Sequence, residues 1–492
     1  MPQPDILLFF SDQHHARYSG FAGHPVVETP NLDRLAQRGT VFSCAYTAAP
    51  LCVPGRSAML TGQLPSHSGI YTNGGIVPSD QATFLHSLAA RGYETVLCGR
   101  MHFKGPDQRH GFSKRIFGDI TPVSGTDHQG WAEELGPYAG GKLGMGGCVD
   151  IIGGGNSPVL EYDRAVMRAA REYLAQDHER PQCIVVGTYG PHFPYVAPPE
   201  LYRQYREQVS LPDSWRDEGD CRHPMTEKKK QRTRVCPETG EEQEVTEEDV
   251  LAARAAYFGM ITQLDAQIGE VRESWEAYLD RMDRDGVFIY TSDHGDTCGE
   301  HGIFGKQTFF EGSAAIPMIF EGTGVDVGAE CDSPASIMDV GPTLCELTGA
   351  TPPPAQDGAS LAASLRGAGE PEGRYVLCEF IEGHDGEPVP GRMIRRGRWK
   401  LITYAHPDGA PMLFDVENDP AEINDLSADH PDVVEELRSL LAQNWEVDRI
   451  VERHIERCEQ RQAVARGGGM PPVPEEERWT VDESARKLPE TR

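Results

Sequence analysis

Short apolar runs alternate with longer helical patterns along most of the chain. The apolar runs lie at residues 6–11, 94–98, 182–187 and 287–291. Helical spacing of apolar residues falls between them, at 31–38, 79–91, 162–175 and 246–280. Continuous apolar strands that alternate with helices are typical of a parallel sheet covered on both faces. The pattern therefore predicts an α/β fold with a large mixed, mostly parallel sheet sandwiched by helices.

The last third of the chain has a different pattern. A Pro-rich stretch at 351–354 begins a predicted linker that continues to about residue 373. Beyond it, 392–404 and 412–415 are typical of strands in a smaller sheet, and 430–444 is typical of a helix packed on that sheet. We therefore predict a catalytic domain at 1–370, a smaller α+β subdomain with an antiparallel sheet and a helix at 371–446, and an extended C-terminal tail at 447–492.

Two segments stand apart from these units. Residues 208–248 are polar and charged, which indicates a surface insertion whose role the sequence leaves open. The tail at 447–492 is rich in charge, Gly and Pro. We expect it to pack on a neighbouring subunit through Trp479 and Val481, which makes the protein a predicted homo-oligomer.

Composition narrows the possible partners and the compartment. The 492 residues carry a formal net charge of −30, which argues against nucleic acid and anionic membranes as partners. No apolar run reaches the roughly 18 residues of a membrane span, and the N-terminus lacks the basic start and long apolar segment of a signal peptide. A cytoplasmic location is therefore expected, with the 12 cysteines reduced.

Polar side chains follow the predicted strands where each strand ends. Asp12 ends the first, Arg100 and His102 follow the second, His192 follows the third, and Asp293 with His294 follows the fourth. In open α/β sheets, ligands bind outside the carboxyl ends of the strands. An active site is therefore predicted at this edge.

The segment 51–62 carries the most specific chemistry. Pro54 suits the first turn of a helix, where its missing N–H costs nothing, so Cys52 falls near the helix N-terminus. The helix dipole there favours negative charge on or near the side chain, and Arg56 lies about one turn further on. A buried structural cysteine at a helix start is the alternative interpretation.

The pattern Cys52-x-Pro54-x-Arg56 resembles the sulfatase signature, in which the cysteine is converted to formylglycine. Other elements resemble the same family in order along the chain: 29–36, Ser11-Asp12-Gln13, Pro191-His192-Phe193-Pro194-Tyr195, Ser292-Asp293-His294-Gly295-Asp296, Gly305-Lys306, Phe310-Glu311-Gly312-Ser313 and 396–404. This resemblance implies an alkaline-phosphatase-like fold. Within the family, choline-sulfatase-like proteins are the most similar, in the segments 50–56, 62–66 and 101–108.

The resemblance implies a divalent metal. Its ligands would be Asp12, Gln13, Asp293 and His294, together with position 52 as formylglycine (3-oxoalanine). Oxygen ligands favour Ca²⁺, and a histidine in the set leaves Mn²⁺ or Mg²⁺ open. Gln13 stands where the family usually has a second aspartate, so this set carries less negative charge.

The resemblance also implies catalytic roles. Formylglycine at position 52, made by a maturase, would supply the nucleophile that attacks sulfur, and Arg56 would orient it. Lys306 and His192 would bind sulfate and protonate the leaving oxygen, and His102 would accept the proton that releases sulfate. Arg100 stands where the family commonly has lysine, so Lys104 is the alternative source of an ammonium group.

The predicted function is hydrolysis of a sulfate monoester of a sugar or another small molecule. The alternatives are a phosphonate monoester or phosphodiester hydrolase, a choline sulfatase, and a non-catalytic binding homologue. We expect residues 121–156 to set specificity. Their aromatic cage candidates are Trp131 and Tyr138, and their polar candidates are His128, Lys142 and Asp150. Because a cage for choline normally needs more aromatic faces, a sulfated sugar is favoured.

Overall fold

The structure is a computed structural model of the chain. It describes residues 3–121, 138, 147–215, 223–236, 239–369, 373–406, 409–467, 479–481 and 483–489. The expected specificity residues Trp131, His128 and Lys142 lie outside these ranges.

Eight of the described strands form one sheet in the order β13-β2-β12-β11-β1-β7-β4-β5. Their bounds are β1 Asp5–Asp12, β2 Thr40–Phe42, β4 Glu94–Gly99, β5 Lys114–Phe117, β7 Gln182–Pro191, β11 Gly286–Ser292, β12 Met318–Gly322 and β13 Ala329–Cys331. β1 runs parallel to both β7 and β11, whereas β12 is antiparallel to β11 and β2.

Helices cover both faces of this sheet, because β1 is apolar on each face. Leu7 and Phe9 pack in one core cluster, and Ile6, Leu8 and Phe10 in another. The described helices are α1 Pro30–Arg38, α2 Cys52–Thr61, α3 Pro65–Ser68, α4 Phe84–Ala90, α5 Pro158–Leu174, α6 Pro199–Arg206, α7 Pro224–Glu227, α8 Glu247–Met282, α9 Glu311–Ala314, α10 Val340–Thr348, α11 Pro431–Leu441 and α12 Val447–Arg466. The predicted fold class is confirmed.

Some predicted boundaries shift for local reasons. The helix predicted from residue 79 begins at Phe84, since Thr83 and His86 form a capping box. The predicted linker does not run free of the core, because Leu361 and Leu365 are fully buried in it. The remaining strands outside the central and C-terminal sheets are short: β3 Ala45–Tyr46, β6 Ile152–Gly154, β8 Tyr195–Ala197, β9 Thr233–Val235, β10 Glu242–Glu244 and β14 Ala335–Ser336.

A second, antiparallel sheet follows, as predicted. Its strands are β15 Tyr375–His384, β16 Glu387–Arg396, β17 Trp399–Tyr404 and β18 Met412–Asp415. Leu437 and Leu441 of α11 pack on one face, and Phe309 and Phe310 pack on the other. The domain boundaries at 370 and 446 stay a prediction.

A buried ion cluster joins the second sheet to α9. Lys400 of β17 is fully buried, with its Nζ 2.9 Å from Glu311 Oε1 and 2.7 Å from Glu422 Oε1. Burial opposes ionisation of Glu311, but Lys400 and Arg395 lower the pKa of this carboxyl to about 2. Burial raises the pKa of Glu422 to about 7, and the Glu311 charge adds to the rise. Glu311 therefore ties the segment that follows Lys306 to the C-terminal sheet.

The Lys400→Met variant should unfold more easily, because two buried carboxyls would lose the one cation that contacts both of them. The expected loss is about 3–5 kcal/mol near neutral pH. Both carboxyl pKa values would lie above the values of the unfolded chain. Protonation then favours the folded state, so the loss should shrink as pH falls from 8 to 5. Urea unfolding at both pH values measures it, and an equal loss at both would contradict this account.

Residues 447–466 form the helix α12, where the sequence predicted an extended tail. Arg453 attaches this helix to the chain by donating to the backbone carbonyls of Ser66, His67 and Ser68 at 3.1 to 3.3 Å. A helix held through guanidinium groups needs no apolar stripe, so the apolar pattern did not predict it.

The predicted subunit anchors pack on their own chain. The Trp479 ring lies 5.3 Å from the Tyr162 ring, and Val481 is buried in the same core cluster. The homo-oligomer stays a prediction. Among the described helices, none combines the length and the apolar composition that crossing a membrane requires.

Candidate active site

Two neighbouring strands bring the candidate metal ligands to one edge of the sheet. Ser11 of β1 is in register with Ser292 of β11, so Asp12 and Asp293 leave the sheet side by side. The backbone N–H of Gln13, at a φ of 71°, donates to Asp293 Oδ1 at 3.0 Å. Parallel pairing therefore places the two carboxylates together.

Cys52 faces these carboxylates from the N-terminus of α2. Leu51 is its extended N-cap, and Pro54 falls in the first turn, as predicted. The Cys52 Sγ lies 2.9 Å from Lys306 Nζ, 3.4 Å from His294 Nε2 and 3.7 Å from Asp12 Oδ1. Burial and the Asp12 charge raise the pKa of the thiol, which disfavours a thiolate despite the helix N-terminus.

Four side chains form a group with the spacing of a metal site. Ligand atoms of Asp12, Cys52, Asp293 and His294 all lie within 4.8 Å of one another, and all four residues are buried. Burial lowers the pKa of His294 to about 4, so its imidazole is neutral, which is the form that binds metals.

Gln13 is held next to this group by the bond from its backbone N–H to Asp293 Oδ1. Its Nε2 donates to Asp296 Oδ2 at 2.6 Å, whereas its buried Oε1 accepts no hydrogen bond from any described residue. A buried amide oxygen without a donor is unfavourable unless a cation or water meets it. The donor set of carboxylate and amide oxygens with one imidazole therefore fits a divalent cation.

Two buried arginines hold the carboxylates in place. Arg56 approaches Asp293 Oδ2 through Nε at 2.8 Å and Asp12 Oδ2 through Nη2 at 3.1 Å. Arg100 Nε donates to Asp12 Oδ2 at 2.8 Å. Burial opposes ionisation of Asp12, but Arg100 and Arg56 outweigh it and hold the pKa of this carboxyl well below its ordinary value.

Arg100 also orients His102. Its Nη2 lies 2.8 Å from His102 Nδ1, and its Nη1 donates to Thr121 Oγ1 at 3.0 Å and lies 3.4 Å from Asp119 Oδ1. Nδ1 therefore accepts, which leaves the proton of the neutral ring on Nε2. Burial and the Arg100 charge hold the pKa of His102 well below its ordinary value.

The Arg100→Lys variant should be less stable by about 3 kcal/mol and should also lose activity, because one ammonium cannot serve Asp12, Asp119 and His102 together. Thermal unfolding and turnover of an aryl sulfate measure the two effects. Arg38→Lys is the matched control, since the Arg38 side chain is 59% exposed. If both variants behave alike, Arg100 does not position the site.

Lys306 and His192 complete the group around Cys52. Lys306 Nζ lies 5.8 Å from the centre of the Phe193 ring and 4.0 Å from Asp12 Oδ1. His192 Nδ1 lies 2.7 Å from the Phe193 carbonyl oxygen. Burial and the Lys306 charge hold the pKa of His192 well below its ordinary value, so its ring is neutral.

Sequence reasoning missed two residues of this site. Asn73 Oδ1 accepts from the Val53 N–H at 3.0 Å, and Asn73 Nδ2 lies 3.9 Å from Cys52 Sγ. Asp119 accepts from the backbone N–H of His102 at 2.8 Å. Asn73-Gly74 carries a turn signal in the sequence, but nothing local indicates that this turn meets Cys52.

Three further residues lie in structural positions. Asp296 accepts hydrogen bonds from Gln13, the Tyr195 hydroxyl and backbone N–H groups, behind the ligand group. His301 stacks on Phe310 with ring centres 4.0 Å apart. Tyr138 is fully buried and donates to the carbonyls of Asn156 and Lys487, so it cannot form a cage wall.

Comparison with known proteins identifies the family of the chain. The chain matches the Sulfatase family over residues 4–350 and the description "N-sulphoglucosamine sulphohydrolase, C-terminal" over 299–447. It is 32% identical to a choline-sulfatase of Rhizobium meliloti (strain 1021), over 91% of this chain and 88% of the relative. It is 27% identical to an arylsulfatase K of Danio rerio, over 89% and 83%.

A solved structure gives the same fold. The phosphonate monoester hydrolase of Agrobacterium radiobacter superposes with a TM-score of 0.72 at 25% identity, covering 90% of this chain and 96% of that one. A mostly parallel sheet with a buried carboxylate, imidazole and cysteine group at its strand ends defines a hydrolase of the alkaline-phosphatase-like class. The chain belongs to the sulfatase family, whose members hydrolyse sulfuric esters.

Proposed function

We propose that this sulfatase hydrolyses a sulfate monoester of a saccharide or another small molecule, with Cys52 matured to formylglycine and a divalent metal beside it. The observation that carries the proposal is the position of Cys52. Its Sγ lies within 4 Å of a lysine ammonium, an imidazole and a carboxylate. An anionic ester needs a local cation at its reacting end, because the chain as a whole is strongly acidic, and the Lys306 ammonium provides one beside Cys52.

Asp12, Gln13, Asp293 and His294 would hold the metal, with position 52 as a further ligand. Ca²⁺ is the first candidate because most of the donors are oxygens, and the imidazole keeps Mn²⁺ and Mg²⁺ as alternatives. When bound, the cation would polarise sulfate oxygens and lower the pKa of the nucleophile. Arg56 and Arg100 would keep the two carboxylates oriented toward it.

Formylglycine would be produced at Cys52 by a maturase, the one protein partner that this account requires. The hydrated aldehyde supplies a hydroxyl nucleophile, which the buried thiol does not. The overall reaction is the cleavage of the ester by one water, giving an alcohol, sulfate and a proton.

The surrounding residues would bind the sulfate and move the protons. Lys306 would contact a sulfate oxygen. His192, whose Nδ1 faces a carbonyl, would present Nε2 to the leaving oxygen. Lys306 and His192 together would protonate that oxygen. His102 would accept the proton whose removal releases sulfate and restores the aldehyde. Because its neutral ring carries a proton on Nε2, the accepting atom would be Nδ1, in exchange for the contact with Arg100.

The phosphonate monoester hydrolase neighbour keeps phosphonate monoesters and phosphodiesters as the alternative substrates. The rates on 4-nitrophenyl sulfate and on 4-nitrophenyl phenylphosphonate, compared as kcat/KM, separate the two. We expect the higher kcat/KM on the sulfate. A higher value on the phosphonate would assign the chain to that alternative.

A further inference from the structure

A cavity of about 480 Å³ lies between α12 and the loop that follows α3. This volume falls within the range of about 300–1,000 Å³ that small-molecule sites occupy. Its wall includes Tyr71, Ile76, Lys104, Arg457 and Arg461. Of the metal and catalytic candidates predicted from the sequence, Lys104, the alternative source of an ammonium group, is the one that lies in this wall.

Two lining residues of the cavity, Arg457 and Arg461, belong to a row of arginines spaced four residues apart on α12. Arg453, Arg457 and Arg461 are half-buried along one face of α12. The glutamates of the same helix, at 452, 456 and 459, are exposed. Within the described ranges, none of these three arginines forms an ion pair with a carboxylate. In a chain with a net charge of −30, such a cluster indicates an anionic ligand.

Two of the three arginines are engaged with the protein. Arg453 binds backbone carbonyls, and Arg461 donates to Thr72 Oγ1 at 3.3 Å. Arg457 differs from them, because it has no hydrogen-bond partner among the residues that the structure describes. Burial and repulsion by Arg453 and Arg461 hold the pKa of Arg457 below its ordinary value. Its guanidinium is therefore available to a bound anion.

Tyr71 provides an independent observation in the same cavity. The residue is 3% exposed, and its hydroxyl finds no hydrogen-bond partner in the described part of the chain. A buried hydroxyl without a partner costs free energy unless a ligand or water meets it. Burial and the Glu379 charge raise the pKa of this hydroxyl, and Arg453 and Arg457 oppose the rise, so the hydroxyl lies close to the arginine face.

The cavity lies beside the reaction centre. Asn73 stands between the lining residues Thr72 and Gly74, and its Nδ2 is 3.9 Å from Cys52 Sγ. Lys104 lines the same wall. Burial lowers its pKa to about 8, and a charge at Cys52 raises it, so Lys104 also lies close to Cys52. A substrate with its sulfate at position 52 could therefore extend toward Arg457.

We propose that this cavity binds a second anionic group of the substrate, a carboxylate or a second sulfate, through the Arg457 guanidinium and the Tyr71 hydroxyl. The inference rests on the proposed function and narrows the substrate to sulfate esters of acidic saccharides. Choline sulfate is disfavoured, because its quaternary ammonium would face a wall of cations.

Initial rates on matched substrates test the inference. The panel is 4-nitrophenyl sulfate, a sulfated neutral hexose, the corresponding sulfated hexuronate, a disulfated hexose and choline sulfate. Wild-type kcat/KM should be about tenfold or more higher on the hexuronate or the disulfated hexose than on the neutral hexose. Preference for the hexuronate identifies a carboxylate as the second group, and preference for the disulfated hexose identifies a sulfate.

Variants locate that preference in the cavity. Arg457→Gln should reduce the ratio of acidic to neutral kcat/KM to near one, and Tyr71→Phe, which removes only a hydroxyl, should reduce it in part. Arg449→Gln is the control on the same helix, since the Arg449 side chain is 80% exposed, and it should keep the wild-type ratio.

Two results would overturn the inference while leaving the proposed function in place. One is a wild-type enzyme that cleaves 4-nitrophenyl sulfate but prefers the neutral hexose or choline sulfate. The other is an acidic preference that survives both Arg457→Gln and Tyr71→Phe. A matured enzyme that cleaves no sulfate ester at all would contradict the proposed function, and the inference would fall with it.

Discussion

Replacing Cys52 by alanine should lower kcat on 4-nitrophenyl sulfate by more than about a thousandfold, the scale expected when a covalent nucleophile is removed. No described neighbour can substitute for it. Lys306 and His294 contact Cys52 directly, but His294 belongs to the ligand group and Lys306 faces Asp12 as well.

The fold should survive this substitution. Cys52 is the first residue of α2, and its backbone capping does not involve the side chain. Thermal unfolding of Cys52→Ala should therefore resemble that of wild type. Cys331→Ala is the matched control, because Cys331 lies on the edge strand β13 and is only partly buried. Turnover by Cys52→Ala near the wild-type rate would contradict the assigned nucleophile.

The Asp293→Asn variant should lose metal and activity together, and it should also be less stable. An amide keeps the shape of the carboxylate but removes its charge, which weakens binding of a divalent cation. Arg56, 1% exposed at its side chain, would keep Asp12 as its only described charged partner. The expected loss is about 3 kcal/mol of unfolding free energy and at least about a hundredfold in kcat/KM.

Three measurements check this prediction. Elemental analysis after gel filtration gives the bound metal, urea unfolding gives the stability, and initial rates give the activity. The control is Asp385→Asn, since the Asp385 side chain is 92% exposed in the β15–β16 hairpin. If metal-free wild type proved fully active, or if Asp293→Asn retained its metal, the ligand assignment would not stand.

The sequence predicted which strand ends and which helix start lie close together, for a physical reason. Asp12 and Asp293 directly follow continuous apolar strands, and parallel pairing alone places such residues together. Cys52 could be placed at a helix start because Pro54 is favoured in the first turn. The roles of these residues stay predictions, whereas their proximity is a feature of the structure.

The rest depends on long-range contacts that no local pattern encodes. Asn73 lies in a loop that contacts Cys52. Asp119, which follows the edge strand β5, accepts a hydrogen bond from the backbone N–H of His102. The helix α12 was missed because Arg453 attaches it by hydrogen bonds to backbone carbonyls that lie 385 to 387 residues earlier in the chain. For this reason the sequence placed the residues that select the substrate only at 121–156, whereas Arg457 of α12 lines a cavity beside the candidate active site.

The central claim is that a modified Cys52 carries out sulfate ester hydrolysis. Peptide mass spectrometry of the segment containing Cys52, in preparations with different degrees of maturation, tests it most directly. We predict that the fraction of peptide with an aldehyde at position 52 rises in proportion to the specific activity on 4-nitrophenyl sulfate. Full activity in a preparation whose Cys52 is entirely an intact thiol would contradict the claim.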